Sequence, residues 1–111
     1  MIHIRSPLKV ESDPRGGWQV VFWAGLAFDY TIPFRAILAE IAAKLGLTAA
    51  ADLDLPAYEE GEDFIEGTLH FHGTTLATYY EYSLGYLTLA SDDRDALEEV
   101  IARIESVVVV G

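Results

Sequence analysis

Between Phe64 and Ala90 the chain carries three runs rich in aromatic and β-branched residues, 64–72, 76–82 and 86–90, separated at Gly73-Thr74 and Leu84-Gly85. Residues of this kind favour extended backbone, and connections this short join only antiparallel neighbours. The segment therefore predicts a three-stranded meander. A meander with one apolar side needs a second layer to cover it, and that need constrains the rest of the fold.

The flanking segments supply that layer. Phe34, Ile37, Leu38, Ile41 and Leu45 recur at helical spacing, Pro33 suits a first helical turn and Gly46 suits a C-cap. Glu40 and Lys44 stand four apart on the expected wet side. A second helix is expected from a cap at Ser91 or Asp92 to about Ile104, with Leu97, Val100, Ile101 and Ile104 on one face. Ahead of both, Ile2, Ile4, Leu8 and Val10 alternate around Pro7. The apolar residues 18–23 follow the turn signal Asp13-Pro14-Arg15-Gly16-Gly17, which predicts a hairpin. Residues 24–30 read as an irregular connection and 48–63 as a surface loop with a helical turn near 49–51; residues 107–110 fit a last strand or a helix tail. The expectation is one α+β domain over residues 1–111, an antiparallel sheet of about five strands in chain order β-β-α-β-β-β-α with two helices on one face.

Turn geometry predicts the pairing. A two-residue turn at Gly73-Thr74 sets Phe71 opposite Leu76, and one at Leu84-Gly85 sets Tyr82 opposite Leu87. Ile65, Leu69, Phe71, Leu76, Tyr80, Tyr82, Leu87 and Leu89 then share the covered face. Glu66, Thr68, His70, His72, Tyr79, Glu81, Tyr86 and Thr88 share the other.

That second face holds the candidate binding residues His70, His72, Tyr79, Glu81 and Tyr86. A carboxylate beside a histidine suits general base chemistry near neutral pH, so a small enzyme built on His70, His72, Glu81 and Tyr79 is one alternative. His70 and His72, two apart on a strand, also suggest a metal site, with Glu66, Glu81 or His3 as further ligands. The plainer reading is that Thr, Tyr and His fill the wet side of a strand; it assigns no catalytic residue, no metal ligand and no cofactor. A third reading is a small-molecule pocket between sheet and helices lined by Trp18, Trp23 and Phe34. Asp52-Leu53-Asp54 lacks the glycine and terminal glutamate of a calcium loop, Gly16-Gly17 matches no phosphate loop, and no Gly-x-Ser-x-Gly elbow occurs.

Composition narrows the partners. Seven basic against eighteen acidic residues give a net charge of −11, which repels nucleic acid and anionic membranes and favours a partner with a basic surface. With no cysteine, disulfides and thiolate chemistry are excluded; this and an N-terminus without a long apolar stretch lead us to expect a soluble cytoplasmic protein. An uncovered sheet face carrying Tyr79 and Tyr86 also allows a homodimer. In size, acidity and α+β class the chain resembles bacterial immunity proteins that block toxins, a likeness of general character. It implies a non-catalytic interaction protein acting through the acidic loop 52–66 or the open sheet face.

Overall fold

The computed structural model describes residues 2–25 and 33–111. Five strands and two helices follow the expected order: β2 (Val10–Ser12), β3 (Trp18–Trp23), α1 (Phe34–Lys44), β5 (Phe64–Phe71), β6 (Thr74–Glu81), β7 (Tyr86–Ser91) and α3 (Arg94–Ile104). Short elements add to them: β1 (Ile2–Ile4), α2 (Ala49–Asp52), β4 (Leu53–Asp54) and, after a 3-10 turn, β8 (Val108–Val110). The main sheet thus has six strands, ordered β2-β3-β7-β6-β5-β4 and antiparallel throughout. The connection expected over 24–30 falls mostly outside the described residues. Of the helix start expected near Thr31–Pro33, residues 31 and 32 lie outside them too, and helix α1 begins at Phe34 with Pro33 at its N-cap.

β1 and β8 form a small parallel pair, Ile2 opposite Val108 and Ile4 opposite Val110. Residues 107–110 therefore end as a strand, and the alternation that begins at Ile2 serves two sheets. Ile2 and Ile4 join one core cluster with Val20 and Phe22 of β3, Leu69, Phe71, Leu76, Tyr80, Leu87 and Leu89 of the meander, and Phe34, Leu38, Ile41, Leu97, Val100 and Ile104 of the helices. Both long helices thus cover one face of the main sheet. Helix α1 ends as its glycine signals, with Gly46 at φ 79 and Leu47 N–H donating to the Ala42 carbonyl. Helix α3 is capped one residue later than expected: Asp93 accepts from the Ala96 N–H at 3.2 Å, while Ser91 completes β7 and its hydroxyl accepts from the Asp93 N–H.

The predicted register is corrected at both meander turns. The first turn is His72-Gly73, with φ 49 and 78, so Phe71 lies opposite Thr74 and Leu69 opposite Leu76. Both central residues take left-handed backbone, a two-residue turn that matches strand twist. At the second, Tyr82–Gly85 loop out and Tyr80 faces Leu87. Each shift is two residues, which preserves every face assignment within the strands because side chains alternate with period two. His72 alone leaves the face, since it sits in the turn.

The stretch 48–63 is a correction of another kind. The expected helical turn is α2, but the loop after it carries the edge strand β4, with Leu53 opposite Leu69 and Asp54 opposite Thr68. Gly67 makes the contact possible, because a Cβ there would stand 2.5 Å from the Asp54 carbonyl oxygen.

Candidate binding groove on the open sheet face

Side chains on the open face line up in rows across the strands. Trp23, Tyr86, Glu81 and Phe64 form one row, and Val21, Thr88, Tyr79 and Glu66 the next. A third crosses all six strands: Glu11, Gln19, Ala90, Ala77, Thr68 and Asp54. Aromatic rings fill one end, small side chains the middle, and the four carboxylates Glu11, Asp54, Glu66 and Glu81 lie toward the margins. No Lys or Arg occupies any of these positions.

An open groove of about 750 Å³ runs along β3 and β7, from the Asp13–Arg15 turn to Leu84. Trp23, Val21, Tyr79, Tyr86 and Thr88 line it, with Glu66 on one wall. Trp23 is 43% exposed and Thr88 only 5%, so the floor is deep although, among the described residues, no helix covers it. The rings form a chain, with Phe64 and Tyr79 centroids 6.2 Å apart and Tyr79 and Tyr86 5.9 Å apart. Burial, reinforced by the Glu81 charge and by Tyr86, pushes the Tyr79 phenol up to about 12. Tyr79 therefore stays a neutral phenol near neutral pH, able to donate a hydrogen bond but not to act as a base. Arg15, on the rim, is turned on Asp13, 3.4 Å from its carboxylate, and Lys9 lines a smaller adjoining hollow with Glu11, Val21 and Trp23. The Arg15 backbone N–H, donating to the same carboxylate, is the main cause holding Asp13 below its usual range.

The structure divides the sequence-predicted residues. Tyr79, Glu81 and Tyr86 are brought together: Glu81 faces Tyr86 across the ladder and Tyr79 lies in the adjoining row. His70 is not among them. It stands beyond the groove beside Thr75, with Nδ1 3.3 Å from the hydroxyl, six residues along β5 from the position facing Glu81. At strand rise that is about 20 Å. His72 packs edge-on against Phe71 in the turn, which removes the two-apart geometry a metal pair requires. Among the described residues, no three His, Asp or Glu side chains converge to hold a metal ion. Trp18, Trp23 and Phe34 are also separate: Phe34 is buried in the core, Trp23 lies on the open face, and Trp18 lies under Arg94.

Two features escape a reading of the meander alone. Trp23 and Val21 enter the face from β3, and the almost unbroken apolar run 18–23 hides their alternation with buried Val20 and Phe22. The acidic loop is also less free than its composition suggests. Glu62 accepts from the Arg35 guanidinium at 2.7 and 3.0 Å and from the Tyr80 hydroxyl at 3.0 Å, and Arg35 also donates to the Pro56 carbonyl. Arg35 holds the Glu62 carboxyl below its ordinary range, and burial raises Tyr80. Asp63 accepts from Ser83, and Asp52 from the Thr48 N–H. No protein-family model, curated protein or solved structure matches this chain.

Proposed function

We propose that this protein is a non-catalytic interaction domain that captures a protein partner bearing a basic surface, and that it does so on the open face of its sheet. The observation that carries this reading is the pattern of that face: four carboxylates at its margins, no Lys or Arg in its rows, and an aromatic groove between. Acid margins orient and attract a basic partner, and tyrosine and tryptophan supply contact area at low entropic cost. The groove is open along its length, which suits side chains from another surface better than a small molecule that needs burial on most sides. A homodimer through the same face would set carboxylates against carboxylates. The loop is the weaker docking element, because Asp52, Glu62 and Asp63 are already engaged.

The test compares two variants of equal charge. Glu66→Lys/Glu81→Lys on the face and Glu59→Lys/Glu60→Lys on the loop each move the net charge from −11 to −7, two units per substitution. Any attraction due to bulk charge is therefore the same for both. Affinity for an immobilised peptide alternating arginine and serine should fall about a hundredfold for the face variant and only a few-fold for the loop variant. Equal losses, or a larger loss for the loop variant, would overturn the face as the docking surface. Sedimentation of the wild type at neutral pH should report a monomer.

A further inference from the structure

Resting on that reading, we propose that the corner formed by Trp23, Tyr86 and Tyr79 receives an arginine side chain of the partner, its guanidinium lying against the rings and paired with Glu66 or Glu81. The molecule's own arginines supply the precedent. Arg94 lies over the Trp18 ring at 4.8 Å, Arg103 over Phe71 at 5.5 Å and Arg35 over Tyr58 at 5.7 Å, and each of these partly exposed guanidinium groups also has a carboxylate within reach. Ring plus carboxylate thus seats three of this chain's five arginines. The open face repeats the arrangement with no cation in the rows of the corner: three rings, with Glu81 opposite Tyr86 and Glu66 opposite Tyr79, while Arg15 is turned on Asp13 and Lys9 lines an adjoining hollow with Glu11.

The electrostatics agree with a cation as occupant. Rings present negative faces, Glu66 and Glu81 add full charges, and the partial burial that raises Tyr79 also lessens the screening of a charge held there. Guanidinium fits better than ammonium, because a flat group can stack on a ring while its edge pairs with a carboxylate. Trp23 and Tyr79 stand on strands two apart, about 10 Å between backbones, with the strand of Tyr86 and Thr88 between them.

The experiment titrates the intact protein with three blocked tripeptides, acetyl-Gly-X-Gly-amide, where X is arginine, lysine or citrulline, the last being a neutral near-isostere of arginine. Two-dimensional amide NMR reads the two indole N–H signals, so Trp18 serves as an internal control for Trp23. The arginine peptide should shift Trp23 and the amides of β3, β6 and β7 while leaving Trp18 in place. Citrulline should bind about tenfold more weakly and lysine several-fold more weakly. Trp23→Ala and Glu66→Gln should each cost about tenfold; both sites lie on the open face, so a dispersed spectrum will report an intact core. Equal binding by citrulline or lysine, shifts centred on Glu59 and Glu60, or no shift at all would overturn the assignment. If the charge-matched variants still favour the face, only the arginine corner falls; if they do not, the docking reading beneath it falls as well.

Discussion

Thr78 and Thr88 sit on neighbouring strands but opposite faces of the sheet, and the hydroxyls of both are buried without a hydrogen-bond partner. A hydroxyl removed from water with nothing to bond is destabilising, whereas the methyl of the same side chain packs well. Thr78, 2% exposed on the helix-covered side, isolates the effect because it touches no part of the groove. Thr78→Val should raise stability by about 1 kcal/mol, read as a rise of several degrees in the thermal midpoint. A fall would mean that the hydroxyl is satisfied. Residues of this kind are poorly legible in sequence, since a threonine on a strand looks the same whether its hydroxyl meets water, a carbonyl or nothing. Tyr79, Glu81 and Tyr86 were legible as neighbours because alternation alone places them. Trp23 was not, because its neighbours Val21 and Phe22 are also apolar and hide which side faces water.

Elements reveal where local patterns end and distant partners begin. The meander's faces could be read without its true register, because both register shifts are of two residues and cancel in the alternation. The loop between α2 and β5 was opaque for the opposite reason: Arg35 and Glu62 lie 27 residues apart, and nothing local joins them. Their bidentate pair ties helix α1 to the loop and, through Tyr80, to the sheet. Arg35→Ala leaves the Glu62 carboxylate, whose side chain is 6% exposed, without its counter-charge and should cost about 2–3 kcal/mol in denaturant unfolding. Arg35→Met/Glu62→Leu, which removes both charges but leaves the Tyr80 hydroxyl without its acceptor, should recover part of that loss. The pH dependence has a definite sign. Because Glu62 is held below its ordinary range when folded, its contribution is present above the ordinary glutamate value of 4.5 and is lost as acid drives the pH down through the lowered value. The wild type should therefore lose stability below about pH 4.5 more steeply than the double variant, and parallel profiles would show that the pair contributes nothing.

At the scale of the whole molecule, the acidity that suits a basic partner works against the fold. Seven basic residues can neutralise at most seven of eighteen acidic ones, so even with every ion pair made, a charge of −11 is confined within a radius of gyration of 12.9 Å. Unfolding spreads these charges apart, so their repulsion favours the unfolded chain. Salt screens charges beyond about 10 Å at 0.1 M, and with four carboxylates set on one sheet face it should act on stability and capture in opposite directions. Raising sodium chloride from about 0.02 to 0.5 M should lift the thermal midpoint by a few degrees while weakening capture of the arginine–serine peptide by more than about tenfold. The face variant Glu66→Lys/Glu81→Lys relieves part of the repulsion by mutation instead, so it should melt above the wild type and respond less to salt while no longer capturing the peptide. A midpoint that falls with salt would place the balance with the ion pairs of Arg35, Arg94 and Arg103, and the acidity would then carry no stability cost for binding to justify.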